Sequence, residues 1–301
     1  MDRLECMSIL VAASEAGSLS AAARRLGIPL TNVSRKVSEL EAYLKTGLLN
    51  RSSRRLTLTD AGRSYVADCK RILELVGEAE RAATGEYGAP KGDLIITAPI
   101  VFGRLHVLPV VTEFLKAYPD IDVRLVFADR IVNLFEEQID LAVRIGDLPD
   151  SSLIATRIGT IRHVVCGGSG YFAARGMPET PDELERHDCI TFEGLISPSV
   201  WPFAFGKTIK SVPVHSRLIV NTAEAAISAA AAGVGVTRVL SYQIAEEIRG
   251  NQLVLALRDF EPMPWPVSLV YPSQRLLPSK VRVFLDYAVP RLKAALSIGA
   301  I

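Results

Sequence analysis

Gly17-Ser18-Leu19-Ser20-Ala21-Ala22-Ala23-Arg24-Arg25-Leu26-Gly27 decides how the amino-terminal region reads. Ser18 and Ser20 both have the chemistry of a helix N-cap, and Gly27 is suited to end the short helix that follows. Pro29 then stands where a third helix begins. In that helix Val33, Val37, Leu40 and Leu44 recur at i, i+4, i+7 and i+11, one buried stripe. Upstream, Leu4, Met7, Leu10 and Val11 keep helical spacing until Gly17-Ser18 stops them. Two helices joined by a short turn containing glycine form a helix-turn-helix, whose second helix enters the DNA major groove amino-terminus first.

Downstream, the polar tip and alternating flanks of Arg51 to Thr59 predict a basic hairpin, in other words a wing. Thr59 can cap a long helix in which Ala61, Tyr65, Cys69, Ile72, Val76, Ala79 and Ala83 keep 3-4 spacing. This stripe either lies on its own domain or packs against a partner helix, and the second reading is preferred because the stretch links regions of different composition. Gly85 to Gly92 supplies a hinge.

Beyond Gly92 strands and helices alternate. Strands are expected at Leu94–Thr97, Val123–Phe127 and Leu141–Ile145, with helices at Leu105–Ala117 and Ile131–Glu137. That βαβαβ order predicts a mainly parallel sheet covered by helices. Further strands are expected at His163–Cys166 and Leu218–Val220, then a helix capped by Asn221 and a last helix from about Ser279 to Leu296.

The chain has 301 residues, 49% hydrophobic and 22% charged, with a net charge of +1. This is ordinary globular composition, and the length suits about two domains. The near-neutral total hides an imbalance. From Arg24 to Arg63, nine cations face only Glu39, Glu41 and Asp60, a local net charge of +6. Such a block is the footprint of a nucleic-acid-binding domain.

Other function classes lack support. Cys6, Cys69, Cys166 and Cys189 have neither zinc-ligand nor redox-motif spacing, and the four histidines share no metal-ligand spacing. Gly167-Gly168-Ser169-Gly170 continues into Tyr171 and is no nucleophile elbow. Gly233-Val234-Gly235 meets Arg238 where a dinucleotide fingerprint needs glycine. No catalytic residue, cofactor or metal is expected. The amino terminus lacks a signal-peptide pattern, and Ala223–Leu240 is too interrupted by charge and glycine to span a bilayer. The expectation is a reduced, cytoplasmic protein with no membrane partner. The alternatives are a solute-binding protein or a redox sensor of the same fold.

The ordered series from Gly17 to Gly27, Val33-Ser34-Arg35, Leu40-Glu41, Leu48-Leu49-Asn50-Arg51 and Arg54 to Gly62 resembles the LysR-type transcriptional regulators. The likeness continues through Ala98-Pro99, Phe102-Gly103-Arg104, Tyr118-Pro119, Asp129-Arg130, Asp140 to Gly146, Gly233-Val234-Gly235 and Tyr271-Pro272-Ser273. It implies an α/β protein with an all-α winged helix-turn-helix domain (1–58), a dimerising linker helix and hinge (59–90) and a periplasmic-binding-protein-like effector domain (91–301). The chain would cross twice between two lobes, the first combining about 91–163 with 268–301 and the second about 164–267. It also implies a homodimer or homotetramer, binding to double-stranded promoter DNA, and a small-molecule effector, often an organic anion, between the lobes. This chain departs from the pattern at Lys45, where a glycine is usual, and at Ala128, where a serine is frequent.

Leu30, Thr31, Ser34 and Arg35 can reach the groove, with Asn32 flanking them and Arg35 suited to a bidentate guanine contact. Ser20, Lys36, Arg51, Arg54 and Arg55 complete the expected DNA surface. The effector is expected at strand ends and helix starts, near Thr97, Ala98, Pro99, Arg144, Ile145, Gly146, Phe203, Asn221 and Thr222. Arg144 could instead pair with Asp140 or Asp147.

Overall fold

The structure is a computed structural model that describes residues 1–51, 56–84, 90–148, 152–192, 199–273 and 277–298. Two compact units divide it, Met1–Ala89 and Pro90–Ile301.

In the first unit, α1 (Arg3–Ala16) starts at Asp2, whose carboxylate accepts from the Leu4 and Glu5 N–H groups. α2 (Leu19–Leu26) is capped by Ser18 rather than Ser20, and Gly27 closes it at φ +66°, where a residue without Cβ carries no steric penalty. α3 (Leu30–Leu44) follows Pro29. Its Val33, Val37 and Leu40 are buried against Cys6, Ile9, Leu10 and Ala13 of α1, as their spacing predicts. The strands β1 (Leu49–Arg51) and β2 (Leu56–Leu58) pair antiparallel, Leu49 opposite Leu58. Glu41 of α3 anchors this wing, accepting from the Leu48 and Leu49 N–H groups at 2.8 and 3.1 Å. Thr59 caps α4 (Asp60–Thr84) through the Gly62 N–H at 2.9 Å. Gly62 has no substitute there, since a Cβ would sit 2.0 Å from the Leu48 carbonyl oxygen.

The α4 stripe divides in two. Val66 and Cys69 are buried, Tyr65 packs against the helix-turn-helix core, and Lys70 pairs with Glu15 of α1 at 2.9 Å. This half lies on its own domain. One turn on, Ile72 is 38% exposed, and Ala79 is exposed as well.

The second unit opens with β3 (Gly92–Ala98) and α5 (Ile100–Phe102), which runs through a π-turn at Gly103–Val107 into α6 (Leu108–Ala117). β4 (Ile121–Phe127), β5 (Leu141–Ile145) and β6 (Leu153–Ile161) follow. After Arg162 the chain enters another sheet through β7 (His163–Gly168), α7 (Ser169–Arg175) and β8 (Cys189–Phe192). A separate hairpin comes next, of β9 (Val200–Phe205) and β10 (Thr208–Pro213). β11 (Ser216–Val220), α8 (Ala223–Ala231), β12 (Val236–Leu240), α9 (Ala245–Arg249) and β13 (Leu253–Ala256) complete the second lobe. β14 (Trp265–Pro272) and α10 (Ser279–Ile298) return to the first.

The lobes hold five-stranded sheets ordered β4-β3-β5-β14-β6 and β11-β8-β12-β7-β13. β3, β4 and β5 are parallel, but β14 runs antiparallel to β5 and β6. In the second sheet β7 is antiparallel to β12 and β13. Both sheets are therefore more mixed than the βαβ pattern predicts. A strand entering from the other lobe, with no helical crossover from its sheet neighbour, is free of the constraint that keeps βαβ strands parallel.

The helix expected over Ile131–Glu137 is absent, replaced by turns. The Asn133 side chain accepts from the Phe135 and Glu136 N–H groups, a local bond that competes with helix. Arg130 clamps Glu137 through two bonds of 2.6 and 2.7 Å, while Val132, Leu134 and Ile139 are buried.

Candidate nucleic-acid interface and ligand cavity

Burial of one face of α3 leaves the opposite face to solvent. Leu30, Thr31, Asn32 and Arg35 are exposed there, and Ser34 is half-buried between them. Ser20 is exposed at the start of α2, with its hydroxyl 2.8 Å from that of Ser18. Arg35 pairs with Glu39 one turn on at 2.6 Å, so its guanidinium is held along the helix. Lys36 differs from its neighbours. Its ammonium bonds Glu5 of α1, which pushes its pKa up and turns it toward the protein. Arg51 ends β1, while Arg54 and Arg55 lie outside the described residues.

Between the two sheets of the second unit lies a cavity of about 630 Å³, within the range of roughly 300–1,000 Å³ usual for small-molecule sites. Thr97, Ala98 and Pro99 at the end of β3, Arg144 and Ile145 at the end of β5, and Asn221 and Thr222 before α8 all line it. Two expected residues do not. Gly146, at φ +106° with the Trp265 ring 3.4 Å from where a Cβ would sit, is not part of the lining. Phe203 is buried in the second lobe's core with Trp201 and Val212, because it lies on an inward-facing position of the β9–β10 hairpin.

Local bonds determine what each group can offer. Thr97 is buried and its hydroxyl donates to the Val126 carbonyl at 2.8 Å, so toward a ligand it presents lone pairs. At the head of α5, Asp129 accepts from the Ile100 N–H at 2.9 Å. Thr222, not Asn221, caps α8, accepting from the Ala225 N–H at 3.2 Å. Arg144 is half-buried and donates to the Val132 carbonyl; burial pushes its pKa down and the Glu137 carboxylate pushes it back up. Asp140 instead accepts from the Ile95 N–H and lies 3.7 Å from the Lys280 ammonium.

Sequence reasoning missed the rest of the wall. Ile131–Phe135 fall within the stretch whose spacing predicts a helix, Asp129-Arg130 enter only through the resemblance, and His163, Tyr242 and Trp265 carry no motif. His163 follows one crossing between lobes and Trp265 follows the other, and their rings meet edge-on at 4.2 Å. Burial, with the nearby Arg238, pushes the His163 pKa down to about 3, so the ring is neutral.

The thiols have a different character. Cys166 on β7 and Cys189 on β8 are separated by β12 and belong to different core clusters. Burial pushes both pKa values up to about 12, which suppresses the reactive thiolate and removes the footing of a redox sensor built on them. Among the described residues no cluster could hold a metal, and no single helix is long and apolar enough to cross a membrane.

Comparison with known proteins agrees with this architecture. Residues 4–63 match the bacterial regulatory helix-turn-helix family of LysR type, and residues 88–293 match the LysR substrate binding domain. An HTH-type transcriptional repressor of Pseudomonas aeruginosa is 33% identical over 291 residues, 96% of this chain and 92% of that one. The HTH-type transcriptional activator AaeR of Escherichia coli is 31% identical over 293 residues, 95% and 93% of the two chains. Among solved structures, CrgA of Neisseria meningitidis, a LysR-type transcriptional regulator, superposes with a TM-score of 0.62 at 29% identity, covering 96% of this chain and 98% of that one. The chain is therefore a member of the LysR family, a helix-turn-helix transcriptional regulator with an effector-binding domain and not an enzyme.

Proposed function

We propose that this regulator binds promoter DNA as a homodimer or a dimer of dimers, and that a small organic anion between the lobes of residues 91–301 modulates the binding. The observation that carries the DNA reading is the exposed face of α3, with Leu30, Thr31, Asn32, Ser34 and Arg35 at its amino end. Arg35 reads a base edge after leaving Glu39, Leu30 offers an apolar contact, and the basic wing holds phosphate. Arg51, Arg54 and Arg55 supply salt-dependent affinity, each neutralised phosphate adding a slope of about −0.9 in log K against log salt. α4 joins two copies, so that half-sites lie about one helical turn apart or a multiple of it.

The effector reading is supported by the cavity and by Arg144, whose guanidinium offers donors to an anion at a strand end. Ligand affinity that differs between lobe arrangements would shift the geometry of the assembly and so its grip on DNA. The test of the DNA reading is a gel-shift titration on the intergenic DNA beside its own gene at two salt concentrations, with Arg54→Ala and Arg55→Ala. The expectation is weaker binding and a shallower salt dependence in both variants, and unchanged slopes contradict it.

A further inference from the structure

The cavity wall indicates what kind of anion it takes. Ile131 is 90% exposed and Phe135 52% exposed, yet both line the cavity, and Leu148 joins them. Large apolar side chains held in water around one concavity mark a surface that an apolar partner covers. They are held there by construction. Between them Val132 and Leu134 point into the core, Arg130 and Glu137 clamp the segment's ends, and Asn133 bonds its own turn. Trp265 and His163 line the same cavity, their rings edge-on to one another at 4.2 Å.

Charge narrows the class further. Four charged side chains line the cavity among the described residues: Asp129, Arg130, Arg144 and Asp147. Asp129 is bound to the Ile100 N–H and Arg130 to Glu137. Arg144 bonds a backbone carbonyl and so keeps donors for a carboxylate. A second negative charge on the ligand would share the cavity with Asp129 and Asp147.

From this arrangement we infer that the effector is a monocarboxylate with a bulky apolar body, rather than a sugar, an amino acid or a polycarboxylate. Its head meets Arg144 and its body covers Ile131 and Phe135 and reaches Trp265. The inference rests on the proposed site between the lobes.

The experiment is equilibrium dialysis of the full chain against four probes: 2-naphthoate, 2-naphthamide, naphthalene-2,6-dicarboxylate and succinate. The expected result is binding of 2-naphthoate about tenfold or more tighter than each of the other three. Ile131→Asp and Phe135→Asp, both at exposed positions that leave folding intact, should each weaken 2-naphthoate by about tenfold. Arg144→Gln should erase its advantage over the amide. If succinate or the dicarboxylate binds more tightly, and Arg144→Gln abolishes that binding, the site stands and the monocarboxylate class is overturned. If 2-naphthoate binds equally to wild type and all three variants, the site itself is wrong. Absence of 2-naphthoate binding at millimolar concentration also overturns the class.

Discussion

The Arg104 guanidinium and the Glu224 carboxylate meet at 2.9 Å, joining the π-turn of the first lobe to the first turn of α8 in the second. The π-turn is pressed so close to the Phe127 ring that a Cβ on Gly103 would lie 2.4 Å from it, which fixes where Arg104 leaves the helix. Both partners of the pair are about half exposed, so it contributes less than about 1 kcal/mol to stability. Its larger effect is on charge. Glu224 offsets the positive end of α8 beside the cavity residues Asn221 and Thr222. Glu224→Gln should leave the melting temperature within a few degrees of wild type and tighten 2-naphthoate binding severalfold. Unchanged affinity in equilibrium dialysis would put the anion away from this end of the cavity.

Lys45 follows α3 at φ +53°, the left-handed region that glycine occupies without penalty. Lys45→Gly should raise stability by about 0.5–1 kcal/mol, the left-handed strain relieved less the freedom that glycine adds to the unfolded chain. Denaturant titration checks this, and a lower midpoint at unchanged slope would show that the lysine makes a compensating contact.

Ile72 and Val76 lie beyond the part of α4 that rests on α1. Ile72→Asp with Val76→Asp should give folded monomers that bind DNA poorly, whereas Cys69→Asp should destabilise the winged domain itself. Sedimentation equilibrium distinguishes them. A double variant that stays fully dimeric would move assembly to another surface.

His163 titrates near pH 6.5 when unfolded but is held to about 3 in the folded protein. Between those values the unfolded chain binds one more proton at this residue, so stability falls as pH drops below 6.5 and is unaffected above it. His163→Phe keeps a ring against Trp265 and removes the titration. From pH 6.5 to 4 the wild type should lose about 3 kcal/mol more than this variant. Parallel pH profiles of denaturant stability would show that His163 is protonated in the folded state.

The winged domain was legible in the sequence because its signals are local. Ser18, Gly27 and the Val33–Val37–Leu40 stripe each act within a turn or two of themselves. Strand ends at Thr97–Pro99 and Arg144–Ile145 were legible for the same reason. The wall from Ile131 to Phe135 was not, because its apolar spacing imitates a helix while Asn133 and the Arg130–Glu137 clamp hold it in turns. Phe203 was misplaced because a hairpin's inward face depends on the core it covers. His163 and Trp265 were invisible, since only the two crossings between lobes bring residues so far apart into contact.

The most direct measurement of the central claim is fluorescence anisotropy of wild type and Arg35→Ala on intergenic DNA and on scrambled DNA of equal length, at one fixed salt concentration. Wild type should strongly prefer the intergenic DNA. Arg35→Ala should lose about 1–3 kcal/mol of that preference while keeping its affinity for scrambled DNA within a fewfold. Discrimination undiminished in a folded Arg35→Ala variant, or absent from wild type, would contradict sequence reading by the amino end of α3.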